Sequence, residues 1–401
     1  MNFISPSRPA LIVLSLYLLV YLLAGFITEI NFLVYKPLPA KLLDDFNFYE
    51  RALIAARSGQ DPYAERLIGP AFLYPPPALL VVEVLSVLPP ALLRALGFGL
   101  INVALVIVMV VGVARLYGYS PRAVWWWFPL ALGFAPFYEV LHVGQINIVT
   151  KFGIFLMFWA ELTQPFVAGL GLGLAIITKV TPAVFLGYLL INKKFRLIGL
   201  TLIVIAALTA LALLRYGWLP FQVYPPVFAD LLQTFPLDLH SQSLVSKLTI
   251  VSHQPFWPLA PLAESAIVPI QRSLTVYIGL VLILSGLATL VTKQREPFFI
   301  VVNLGMLYSP NIMWYHHYVF ILLPLLVWMA WARFKLPITL WCLIGLLIIQ
   351  IDRFRLTTGL LIHVYGQLTI LAILIWQLWQ AYALIRASRA ASPRAAAGAA
   401  T

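Results

Sequence analysis

The sequence predicts an all-α protein that crosses a membrane many times. Three observations carry this. Of 401 residues, 62% are hydrophobic and 10% are charged, against roughly 25% charged in a soluble domain. Mean hydropathy is +0.95. Pro9 to Thr28, Ala95 to Ala114 and Ser273 to Thr292 each run twenty residues without a charge, and a spanning helix needs about 20 such residues.

Helices are expected at 9–28, 73–88, 91–114, 122–141, 145–161, 165–190, 196–216, 268–292, 297–310, 315–333, 336–351 and 358–385, about twelve transmembrane helices in all. The first reads as retained, because no small-residue cleavage site follows it. Lys and Arg in short loops orient the set. With the N-terminus inside, Asn192 to Arg196, Lys293 to Glu296, Arg333 to Lys335, and Arg386, Arg389 and Arg394 are cytoplasmic. Arg115 with Arg122, and Arg353 with Arg355, then fall outside, against the rule. The majority places both termini in the cytoplasm.

One polytopic domain is expected over 1–385, with outer loops at 29–72 and 217–267. A low-complexity tail, 386–401, is expected to be disordered. In the first loop, FNFYERALIAARSG spaces apolar residues at helical intervals with charges between, as a helix lying on the membrane does. The second loop is rich in Pro and aromatics and reads as a surface helix followed by irregular chain.

Composition also excludes. A net charge of +12 suggests nucleic acid in a soluble protein. Here the cations anchor helix ends, and no nucleic-acid partner is expected. The single cysteine, Cys342, allows no internal disulfide. His316 and His317 have no cysteine companion, so a metal site of usual spacing is not expected.

Ionisable residues are scarce enough to be informative. Of fourteen Asp and Glu, five (Asp44, Asp45, Glu50, Asp61, Glu65) fall within twenty-two positions. Asp44 and Asp45 suit a solvated loop or a helix N-cap. They equally suit a general base at the membrane boundary, where partial desolvation raises basicity. The stretch YSPNIMWYHHYVF gathers Ser309, Pro310, Asn311, Trp314, Tyr315, His316 and His317. Its adjacent histidines point to different faces of a helix, one toward a pocket or both as interfacial anchors. Lys179 falls near mid-membrane beside Gly169, Gly171 and Gly173, which permit close helix approach. A buried lysine is a functional candidate by default, with a phosphate, or a carboxylate such as Glu161 or Glu139, as its counter-charge. Gln145 and Asn147, in HVGQINIV, either bond across helices or line a cavity.

In chain order DFNFY, GQDPYAERLIGPAFLYPPPALL, HVGQINIV, AGLGLGLAIITKVTPAVFLGYLL, SQSL and SPNIMWYHHYVFILLPL resemble glycosyltransferase family 87 over about residues 40 to 330. That family comprises membrane enzymes of GT-C architecture, among them polyprenol-phosphate-mannose-dependent α-1,2-mannosyltransferases and a related arabinofuranosyltransferase. The resemblance implies a GT-C-type fold with amphipathic helices in outer loops. It implies an inverting transfer of a hexose, mannose first, from a polyprenyl-phosphate sugar to a lipid-linked or glycan hydroxyl on the outer face of the plasma membrane. Donor, acceptor and membrane lipids would be the partners. By resemblance the base falls on Asp45, with Asp44 in reserve, and donor or acceptor binding on Trp314, His316, His317 and Lys179. Tyr74, Gln145, Asn147, Gln242 and Ser243 are further substrate-binding candidates. An NQS-like element of the family reads Ser241, Gln242, Ser243 here, which removes its first residue.

The chemistry agrees. One displacement at the anomeric carbon needs one base for the attacking hydroxyl. The phosphate leaves without a second carboxylate to protonate it, unlike the leaving group in glycoside hydrolysis, and needs cations or imidazole donors nearby. No cofactor is required, and a divalent metal is not obligatory: no DxD-like motif is present, and only the Asp44–Asp45 pair leaves room for one. The alternative is a secondary transporter or lipid flippase. Against it stand the lack of a repeat between the halves and the gathering of acids in an outer loop.

Overall fold

The computed structural model describes residues 8–35, 43–65, 72–87, 91–120, 122–234, 241–254, 260–310, 312–351 and 356–398. Asn311, Arg353 and Arg355 lie outside them. The described chain is helical, with one isolated bridge between Ser241 and Trp314. Its helices are α1 (Arg8–Tyr35), α2 (Asp44–Arg57), α3 (Ala78–Leu85), α4 (Ala91–Leu116), α5 (Trp127–Leu132) and α6 (Ala135–Val143). Then come α7 (Asn147–Ala160), α8 (Pro165–Thr178), α9 (Val184–Ile191), α10 (Phe195–Tyr216), α11 (Leu219–Gln233) and α12 (Leu244–Ser252). The last are α13 (Ile267–Thr292), α14 (Arg295–Tyr308), α15 (Leu322–Trp331), α16 (Leu336–Ile351) and α17 (Leu356–Gly398). A 3-10 turn, Tyr315–Ile321, leads into α15.

Among the described residues, four helices are long and apolar enough to cross a membrane unaided: those containing Arg94–Leu116, Phe195–Tyr216, Ile267–Thr292 and Leu360–Ser388. Shorter apolar helices pack among them. The surface helix expected from FNFYERALIAARSG is α2. It buries Phe46, Tyr49, Ala52, Leu53 and Ala56 on a second core, apart from the main bundle, shared with α3, Phe98 of α4, and Ala212 and Tyr216 of α10.

Several expected spans differ from the structure. The segment 73–88 forms only α3, eight residues and so about 12 Å long, far short of the ~30 Å of hydrocarbon. Pro75, Pro76 and Pro77 hold its start as turns. The segment 122–141 is two helices, α5 and α6, broken at Gly133 and Phe134. The segment 165–190 is α8 and α9, broken at Lys179 and Val180 before Pro182, which has no N–H to bond back to the Thr178 carbonyl. In the tail, α17 continues to Gly398, in keeping with alanine's high helix propensity.

The break turns the chain back. α8 lies antiparallel to α7: Thr150 meets Thr178, and Gly153 packs on Gly171. It runs parallel to α10, Gly169 against Leu200 and Gly173 against Val204. α9 then returns, so that Tyr188 reaches Glu161 at the end of α7. The pair α8–α9 therefore starts and finishes on one face. On that face Glu161 pairs with Arg295, and Arg333 bonds the Tyr117 carbonyl at 3.4 Å. The opposite face carries α2, with Glu50 paired to Arg94 at the start of α4. So α4 runs away from α2, and Arg115 ends on the basic face. The Arg115–Arg122 exception disappears because α3 does not cross. So α3 is too short to reach from one face to the other, and α8–α9 starts and finishes on one face.

Candidate functional site

The site is built from two polar clusters joined by one turn. α6 ends at Gly144 with φ +77°, a left-handed conformation suited to glycine. A side chain there would meet Phe46 Cβ at 2.6 Å, so α2 lies directly on this turn. The Leu43 N–H donates to the His142 carbonyl at 2.8 Å. Leu43 precedes α2 at φ 59°, an unusual conformation for a branched residue. Neither aspartate caps the helix, since the cap is Leu43. Asp44 and Asp45 occupy its first turn, where the helix dipole favours negative charge.

Asp45 Oδ2 accepts from Gln145 Nε2. Gln145 Oε1 accepts the Tyr74 hydroxyl at 2.7 Å, and the Tyr74 and Tyr49 hydroxyls lie 3.1 Å apart. Burial holds both phenols well above their ordinary pKa, so they remain protonated donors. This relay aims the carboxylate. The other acids of the stretch have structural partners: Glu50 with Arg94, Glu65 with Arg51 at 3.0 Å, and Asp61 with the Tyr63 N–H at 2.8 Å.

Two residues past Gln145, Asn147 begins α7 and is fully buried. Its Oδ1 accepts from Lys179 Nζ at 3.3 Å. Lys179 Nζ also lies 2.8 Å from His317 Nε2. The Trp314 N–H donates to His317 Nδ1 at 3.1 Å, fixing the ring. With Nδ1 accepting from Trp314, Nε2 carries the ring proton and donates it to the Lys179 amine, so the two cannot both carry a full charge. Lys179 stands at the tip of the α8–α9 turn, over the Phe320 ring at 5.6 Å. Of the two carboxylates expected as its possible counter-charge, Glu161 instead belongs to Arg295 and Tyr188 at the far end of α7. His316 is buried with its ring edge-on to His317, centroids 4.6 Å apart.

The structure therefore gathers Asp45, Tyr74, Gln145, Asn147, Lys179, His316 and His317, with Asp44 one position before Asp45. Gln242 and Ser243 stand behind this group. The Gln242 N–H donates to the Met313 carbonyl at 2.5 Å, and its carbonyl meets His363 Nε2 at 2.6 Å. Ser243 caps α12, accepting from the Ser246 N–H at 3.3 Å. Their neighbour Ser241 forms the isolated bridge to Trp314. Sequence reasoning passed over Tyr49, Lys151, Asn303 and His363. Lys151, charged within an apolar helix, carried the same signal as Lys179.

The pattern of glycosyltransferase family 87 matches residues 72–310. The match contains Tyr74, Gln145, Asn147 and Lys179; Asp45 precedes it and His317 follows it. No curated protein matches the chain with significance. With the match covering more than half of its length, the chain belongs to glycosyltransferase family 87.

Proposed function

We propose that this glycosyltransferase moves a hexose, mannose being the first to test, from a polyprenyl-phosphate sugar to a hydroxyl of a lipid-linked or glycan acceptor, with inversion. The observation that carries the reading is the turn 145–147, which bonds the carboxylate at one end and the amine–imidazole pair at the other. An acceptor hydroxyl beside Asp45 gives its proton to the carboxylate as its oxygen attacks the anomeric carbon. The anomeric carbon–oxygen bond to phosphate breaks, and its electron pair leaves with the lipid phosphate. Lys179 and His317 supply positive charge and donors to that phosphate, and no metal enters the scheme.

In this reading the α2 face is the outer side of the plasma membrane and the basic face is cytoplasmic, with both termini inside. The support is the charge asymmetry: Arg51, Arg57, Arg94 and Arg215 near α2 are all ion-paired, whereas exposed Arg115, Lys193 and Arg196 mark the other face. Purified protein given a panel of labelled polyprenyl-phosphate sugars tests the activity. Transfer from one of them, with inversion at the anomeric carbon, is expected; retention of configuration would remove the single-displacement scheme.

A further inference from the structure

His363 is a buried imidazole that the scheme above does not use. It lies near the start of α17, 1% exposed. Its ring packs edge-on to Tyr308 at the end of α14, centroids 5.2 Å apart. A side chain at Gly366, one turn on, would run into the same tyrosine ring, so α17 lies directly against it. The Gln242 carbonyl can only accept, so His363 Nε2 carries the ring proton and donates it across the 2.6 Å between them.

From there the contacts lead to the site without a gap. The N–H of the same Gln242 donates to the Met313 carbonyl at 2.5 Å. Its neighbour Ser241 bridges antiparallel to Trp314. Residues 241–242 are thereby laid along 313–314. Trp314 and His317 hold each other by two bonds. The His317 N–H donates to the Trp314 carbonyl at 2.9 Å, and the Trp314 N–H donates to His317 Nδ1 at 3.1 Å. His317 Nε2 then faces Lys179 at 2.8 Å.

The bond at Nδ1 decides what His317 can do. The two ring nitrogens differ, and the partner of one sets the protonation of the other. With the Trp314 N–H on Nδ1, the proton stays on Nε2, and a phosphate beside Lys179 meets an N–H. Were Trp314 to retreat, the Nδ1–H tautomer would open, and Nε2 would turn a lone pair toward the anion. A single bridge has no ladder on either side to hold its register. The His363 bond ties it to a long helix.

We propose that His363 is a positioning residue. By holding the Gln242 carbonyl it keeps 241–242 and 313–314 together, and so keeps the proton of His317 on Nε2, the nitrogen that faces the donor phosphate. The tautomer rests on the geometry alone; its consequence for transfer rests on the polyprenyl-phosphate reading.

The test uses full-length protein in detergent, with histidine labelled on its imidazole nitrogens and its tautomers read by NMR. The His317 signals are those absent from His317→Ala. Wild type is expected to show the Nε2–H form. His363→Phe and His363→Leu lack the donor and are expected to show mixed tautomers at His317. His363→Gln, whose amide nitrogen reaches about as far as Nε2, is expected to restore the wild-type signals. In transfer assays His363→Phe is expected to lose about tenfold in kcat/KM for the donor, the scale of one buried hydrogen bond, with acceptor KM unchanged. Placed on His317→Ala, it is expected to add no further loss. An Nδ1–H form in wild type, or unchanged His317 signals in folded His363→Phe and His363→Leu, overturns the proposal. A loss that persists in full on His317→Ala also overturns it, and assigns His363 to packing. Altered tautomers with unchanged donor kcat/KM support the brace and overturn the contact between His317 and the donor phosphate. The spectra decide the brace even where no donor is turned over, a result that would contradict the polyprenyl-phosphate reading alone.

Discussion

At the scale of the residue, Asp45 and Gln145 are one hundred positions apart in sequence and directly bonded in space. Asp45→Asn is expected to lower turnover by about 10²–10⁴, the usual range for loss of a general base, with unfolding unchanged; retained turnover would exclude Asp45. Gln145→Leu keeps the carboxylate and removes its orienting donor. Turnover should fall while the acceptor KM changes little, and an unchanged kcat would make the relay structural. Lys179→Met and His317→Ala should each weaken donor use, and the double variant should lose less than the product of the two, because they share one proton. Fully additive losses would separate them. Asp45 and Lys179 were legible in the sequence because ionisable residues are rare in an apolar chain. The bond between Asp45 and Gln145 was not, because Gln145 reads equally as a bond across helices or a cavity wall, and Tyr49 as one more member of an apolar helical stripe. Nothing local announces which distant amide faces a carboxylate.

At the scale of the element, Gly144 sets the approach of α2. Gly144→Ala forces a non-glycine residue to φ +77°, at a cost of about 1–3 kcal/mol, and pushes on Phe46. Lower melting temperature together with lower activity is expected; full activity would mean that α2 need not sit on the turn. Glu83 of α3 ties Arg57 of α2 to Arg215 and Tyr216 of α10. The Arg215 guanidinium, ahead of the Tyr216 hydroxyl and Arg57, pulls its pKa down to about 2. A lowered carboxylate stabilises above its unfolded pKa, about 4.3, and that stability is lost as pH falls toward 2. Glu83→Gln should therefore melt earlier than wild type at pH 7, with the gap closing below pH 4. A gap independent of pH would assign the effect to packing. The element boundaries that sequence reading missed share a cause. Hydropathy sees an apolar run but not whether backbone bonds continue through it. The prolines at 75–77 and 182 were the only local signs of α3's brevity and of the α8–α9 break.

At the scale of the whole molecule, the membrane class, the helix α2 and the order of the polar motifs were legible from composition and pattern. The path of the chain was less so, because each misjudged crossing reverses everything after it. Arg115 and Arg122 were the sign that a reversal was missing. Their place on the basic face follows from α3 alone. The α8–α9 turn reverses the chain a second time. The orientation has a direct check. The single native cysteine is buried, so Ser58→Cys on the α2 face and Arg196→Cys on the basic face can be labelled singly in intact cells. An impermeant maleimide should reach the first and not the second; the reverse would invert the topology and put the site in the cytoplasm.

The most direct measurement is transfer from a panel of radiolabelled polyprenyl-phosphate sugars to a lipid-extract acceptor pool by purified wild type and Asp45→Asn. The account predicts transfer from one donor by wild type and none from any donor by the variant, both proteins being folded. Equal transfer by the two would contradict a site centred on Asp45. No transfer by folded wild type would contradict the polyprenyl-phosphate donor.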